Sequence, residues 1–216
     1  MSLSSIFIQT CKNEFGICNI SKPCPDMFFA IVDLSGKGSY SMKLCSYQEF
    51  CDFPLDTIGL VLESPHIAEY DTNGNPIAPA QGKTGRNIAN FLIKHLNSIK
   101  LPKKKYKLLL IEAVSFQWSN GSNLKQNAAK RDNVFKTVWI NGGEDNFIAR
   151  LQLYNPNIII NACTGGMKNI NSGKTLNSLV QQAINSLQYC QAKKLFYSVH
   201  PSSFHFRGCM TRIYKR

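Results

Sequence analysis

The chain of 216 residues suits one domain of ordinary size, and 44% apolar content is enough for a proper core, which excludes global disorder. Twenty-five Lys and Arg against 13 Asp and Glu give a net charge of +12, a balance that favours a polyanionic partner, nucleic acid being the commonest. From charge alone, a merely basic soluble protein stands level with that reading. The eight cysteines form no C-x-x-C pair, so the usual zinc and iron–sulfur spacings are missing; an irregular site at Cys11, Cys18 and Cys24 is the one opening left for a metal. The first residues lack a secretory pattern, and no apolar run approaches a membrane span. The expected setting is the reducing cytoplasm, with free thiols and no membrane.

In chain order, residues 27–34 and 40–44 read as two strands joined by a Ser-Gly-Lys-Gly turn, a hairpin with an irregular lead-in. From Asp56 the pattern alternates. Residues 57–63 form an apolar run with the length of a buried strand. Residues 84–97 carry Ile88, Phe91, Leu92 and Leu96 at helical spacing. A strand follows over 107–114, then helices over 126–140 and 147–153. A third strand is expected over 156–163, a helix over 172–187, and a fourth strand over 194–199. Apolar strands alternating with amphipathic helices predict an α/β fold: a three-layer α/β/α sandwich around a mostly parallel four-stranded sheet. Residues 1–55 are expected as an extension packed on a core domain of 56–216. In such sheets ligands bind at the carboxyl ends of the strands, where the motifs fall.

The last strand ends in His200-Pro-Ser202-Ser-Phe204-His-Phe-Arg207-Gly. The first ends in Glu63-Ser64-Pro65-His66. Between them lie Gly82-Lys-Thr84-Gly85-Arg86 at a helix start and a strand ending in Glu112. Glycines before a helix leave backbone N–H groups open to phosphate. The P-loop reading fails, because the chain has no glycine at the position that pattern needs ahead of Gly82.

In order and spacing these segments resemble the motifs of the uracil-DNA glycosylase superfamily, closest to the branch with Gly-Glu-Ala-Pro-Gly. The resemblance spans about residues 57–209 and departs from the pattern at Leu62, where the family has glycine. It implies a monofunctional glycosylase that flips a base from DNA and hydrolyses its glycosidic bond, without metal or cofactor. Glu63 would place the water and stabilise the oxocarbenium-like sugar, and His200 would donate to the base carbonyl. Ser64, Pro65, His66 and Glu112 would form the base pocket. Gly82, Thr84, Gly85, Arg86, Ser202 and Arg207 would contact DNA, and Phe204 would wedge into the duplex. Strand-end capping remains the plain alternative for Glu63 and His200, and ordinary packing for Phe204.

Family members carry Asn where this chain has Glu112. An ionised carboxylate only accepts hydrogen bonds, so it repels uracil O4 and welcomes an exocyclic amine; protonation would let Glu112 donate as well. The expected substrate is therefore a modified, cytosine-derived base, and a defence against viral DNA is one setting for such an activity. Three alternatives stand beside it: an inactive DNA-binding relative, a uracil-specific repair enzyme, and a nucleoside-processing enzyme. A monomer is expected, with DNA binding that weakens in salt.

Overall fold

The computed structural model describes residues 1–16, 18, 22–36, 41–44, 54–117, 124–166, 175–187, 194–204 and 214–215. Its strands are β1 (Met27–Asp33), β2 (Ser41–Leu44), β3 (Thr57–Leu62), β4 (Lys105–Glu112), β5 (Ile158–Asn161), β6 (Lys194–Tyr197) and β7 (Tyr214–Lys215). Among the described residues, five α-helices accompany them: α1 (Leu3–Phe15), α2 (Lys83–Leu96), α3 (Leu124–Val138), α4 (Glu144–Tyr154) and α5 (Leu176–Ser186).

The strands form one seven-stranded sheet in the order β2-β1-β4-β3-β5-β6-β7. The neighbours β4, β3, β5 and β6 run parallel. The remaining pairings, β1 with β2 and with β4, and β6 with β7, are antiparallel. The α/β class holds, but the expectation of a mostly parallel sheet is corrected: the sheet is mixed. The N-terminal hairpin accounts for much of the difference, since β1 docks on β4 from Met27↔Leu110 to Asp33↔Lys105. Strand partners are non-local, so periodicity along β1 carries no information about that docking. The irregular lead-in is also corrected. It contains α1, capped by the Ser2 side chain, which accepts from Ser5 N–H, and closed by Gly16 at φ 76°.

Alternation along the strands divides the core. Ile58, Leu60, Leu62, Leu108 and Leu110 face α2 and join Ile88, Leu92 and Leu96. Val61, Leu109, Ile111 and Ile159 point the other way, into a larger cluster fed by α1, α3, α4 and α5. In that second layer Trp139 stacks near Phe135 and Phe147, each with ring centroids 5.5 Å away. Such buried aromatics carry much of a core's stabilisation.

Helix α2 owes its approach to a glycine. A Cβ on Gly85 would run into the carbonyl oxygen of Ala80, itself at φ 60°. Gly85→Ala must push backbone from backbone, and a destabilisation of about 2 kcal/mol or more is expected in thermal melts. Gly85 therefore serves close packing, which is a different role from the open phosphate-binding amide that its motif suggests.

Candidate functional site

The carboxyl ends of β3, β4, β5 and β6 converge on a group of buried polar side chains. Glu63 follows β3 and is 4% exposed; Glu112 ends β4 and is 1% exposed. Both project from strands buried on both faces, so their carboxyls enter a dry environment with few partners. Neither Glu63 Oε1 nor Glu112 Oε2 has a hydrogen bond, and the same holds for Ser64 Oγ, Glu69 Oε2 and Thr164 Oγ1. Orphaned buried polar atoms are rare in folded proteins, and a group of them marks a place where a ligand or water is accommodated.

Burial pushes the Glu63 carboxyl up to about 7, with Arg131 opposing that rise and Asp132 adding to it. Arg131 Nε lies 3.6 Å from Glu63 Oε1, and its guanidinium also grips Asp132 Oδ1 at 2.8 Å. Sequence reading missed Arg131: it sits on α3 within an ordinary run of charged residues, and only the fold brings it to Glu63. Burial also raises Glu112 well above the carboxylate range, reinforced by Glu69, Asp26 and Glu63. Burial among other acids thus disfavours the ionised form of Glu112.

The backbone that carries Glu112 is clamped from two sides. Asp26 accepts the Glu112 backbone N–H at 3.0 Å. Both of its oxygens also accept from Arg150 Nη1 at 2.7 Å, while Arg150 Nη2 donates to the Glu112 carbonyl at 2.8 Å. The Asp26 side chain is 0% exposed. Asp26→Asn is expected to destabilise the fold by about 3 kcal/mol, because it leaves the half-buried Arg150 without its counter-ion; urea titration measures it. The N-terminal segment is thus stitched into the site rather than laid over it.

His200 follows β6 and starts the short 3-10 turn Pro201–Ser203. Its Nδ1 accepts the Ser202 backbone N–H at 3.3 Å, with the Ser202 hydroxyl at 2.9 Å. A neutral ring with Nδ1 accepting carries its proton on Nε2. Burial, helped by the charge of Arg131, lowers the imidazole to about 4. At neutral pH His200 is therefore an uncharged Nε2–H donor. The turn is fastened to α2 by Asn87, whose side-chain amide donates to the Pro201 and Ser202 carbonyls at 3.0 and 3.1 Å.

The other expected site residues separate. Pro65 is buried and Ser64 half-buried beside Glu63. His66 caps the turn Ile67–Glu69, its Nδ1 accepting from Ala68 N–H. Gly82, Thr84 and Arg86 lie at the start of α2, on the same side of the sheet as the His200 turn, and Arg86 is exposed. Ser202 orients His200 through Nδ1 and offers its carbonyl to Asn87. Phe204 is corrected: it is 2% exposed and packs on His95 with centroids 4.4 Å apart. An aromatic ring buried under α2 cannot serve as a wedge in a duplex. Arg207 lies outside the described residues.

Lys104 and Lys105 stand at the amino end of β4, across the sheet from Glu63, and pair with Asp56 and Asp33. Cys11, Cys18, Cys24 and Cys163 are free thiols, and among the described residues no group of His, Cys, Asp and Glu is placed to hold a metal. No described helix is long and apolar enough to cross a membrane. Compared with known proteins, the chain matches no family model, no curated protein and no solved structure.

Proposed function

We propose that the chain is a monofunctional DNA glycosylase that flips a base out of DNA and hydrolyses its glycosidic bond. The observation that carries this reading is the convergence at the strand ends of a buried carboxyl raised to about 7, Glu63, with a neutral imidazole donor, His200. Both electrostatically engage one guanidinium, Arg131. Breaking an N-glycosidic bond develops positive charge on the sugar and negative charge on the base. The site offers each a partner of the right kind.

In this mechanism His200 Nε2–H donates to the base carbonyl as the bond to the sugar lengthens. The ionised Glu63 carboxylate faces the oxocarbenium-like sugar and orients a water toward C1′. Water adds its oxygen to C1′ and passes a proton to Glu63; the departing base takes one proton from solvent, and Glu63 returns its own to solvent. The products are the free base and an abasic site. Arg131 holds Glu63 in place and limits its rise, so that the ionised form is available at neutral pH. The net charge of +12 suits a DNA substrate, with Arg86 at the start of α2 a candidate phosphate contact. Glu112 stands at the base-reading position, and a cytosine-derived base fits its capacity to accept from an amine.

The test is base release from duplexes carrying uracil, hypoxanthine or only the ordinary bases, and from viral DNA with modified cytosine, with abasic sites scored by alkali cleavage. Release from at least one of them, absent with His200→Ala, is the expected result. Salt-sensitive binding without release from any would make the chain a DNA-binding protein instead.

A further inference from the structure

The guanidinium of Arg131 stands between two buried acids and serves them unequally. Its Nε and Nη2 both converge on Asp132 Oδ1, at 3.1 and 2.8 Å. Glu63 Oε1 lies 3.6 Å from the same Nε, beyond hydrogen-bond reach, and has no hydrogen bond. All three side chains are largely withdrawn from water, where a charge-assisted hydrogen bond is strong and solvent does not replace one that is missing. Asp132 is also confined from behind. Gly166, in the loop after β5, adopts φ 66°, and a Cβ there would stand 2.7 Å from Asp132 Oδ2 and 2.8 Å from Leu176 Cγ. Glycine lets the loop close on Asp132, which leaves the carboxyl little room to turn away from Arg131.

We propose that Asp132 is a positioning residue that holds the Arg131 guanidinium back from Glu63, so that Glu63 Oε1 stays open to a water or a proton. Its catalytic meaning rests on the glycosylase reading; its geometry does not. A guanidinium carries its N–H donors in a fixed fork that fits one carboxylate bidentately. A fork of that kind on Glu63 would occupy both carboxyl oxygens and favour the ionised form, making the group a poor acceptor for the proton of an attacking water. With Asp132 taking the donors, Arg131 acts on Glu63 through charge across 3.6 Å. Glu112 at the end of β4 and Cys163 after β5 also interact with Glu63, and burial disfavours the charged form of both. His200 after β6 is neutral and feels Arg131. Of these named groups Arg131 alone is cationic, so its division between two acids decides how firmly Glu63 is held.

The experiment follows the Glu63 carboxyl by NMR through a pH titration of the whole chain with isotope-labelled glutamate, Glu63→Gln identifying the signal. Wild type is compared with Asp132→Asn and Asp132→Ser. Asparagine keeps the shape and an oxygen for Arg131 but not the charge, serine is the smaller replacement, and circular dichroism confirms each fold. Wild type should titrate at about 7. Without the Asp132 charge the guanidinium turns to Glu63, whose titration should fall by about one pH unit or more. A wild-type value in the ordinary carboxylate range, or a titration unmoved or raised in a folded variant, overturns the proposal. An aspartate that served only packing would cost stability and leave the titration in place. Base release is scored separately. No release from any DNA, with the titration shifted as stated, removes the glycosylase reading and leaves Asp132 in its role. Release with an unmoved titration does the reverse.

Discussion

Replacing His200 by alanine is expected to lower base release about 10²–10³-fold, the usual cost of losing one well-placed donor to developing negative charge. DNA affinity should stay within about threefold of wild type, since the imidazole is uncharged and makes no phosphate contact in this mechanism. The ring is prepared for its task by three features: Ser202 N–H fixes the tautomer, burial keeps the ring neutral, and Asn87 fastens the turn to α2. Single-turnover kinetics separates the loss of chemistry from any loss of binding. His200→Gln, which keeps an N–H donor, should recover part of the rate, whereas a purely structural histidine would show no such graded response.

Glu63→Gln is the second large effect, with an expected loss of about 10²–10⁴-fold in the chemical step. Its pH behaviour distinguishes it from a simple packing defect. The Glu63 carboxyl titrates near 7, so base release should rise about tenfold per pH unit below 7 and level off above it. His200, lowered to about 4, stays neutral across this range and contributes no limb. Glu69 also titrates near 7, and loss of the limb specifically in Glu63→Gln assigns it to Glu63. Stability follows the same shift with the opposite consequence. The folded value lies above the ordinary 4.5 of a free glutamate. The contribution of protonated Glu63 is therefore complete below pH 4.5 and lost as pH rises through about 7. Glu63→Gln removes that loss, so its melting temperature should gain on wild type between pH 5 and 8.

The elements that position this site were readable because their patterns are local. The apolar runs that became β3, β4, β5 and β6, and the helical spacing of Ile88, Leu92 and Leu96 in α2, depend only on neighbouring residues. What escaped reading was non-local. The pairing of β1 with β4, and the passage of Asp26 to the backbone of Glu112, require knowing which strands become neighbours. Arg131 carries no motif and acquires its role only because α3 crosses the end of β3. The lysines of residues 94–107 form a cluster in sequence, but the strand direction of β4 sends Lys104 and Lys105 to the far end of the sheet. Phe204 illustrates the same limit on a smaller scale. Its place in the motif suggests a probe, and its packing on His95 makes it core. For Glu112 the residue was legible but the upward shift of its carboxyl was not. That shift follows from burial among other acids, which no residue sequence states directly.

The most direct measurement is mass-spectrometric detection of the free base liberated from DNA containing both ordinary and modified bases, with abasic sites counted in the same reaction. The account predicts one released base in equal amount to the abasic sites formed, with both products lost in Glu63→Gln and His200→Ala under conditions where both variants still bind DNA. Intact DNA after incubation with well-folded, DNA-bound wild-type protein, or release that persists in both variants, would contradict it.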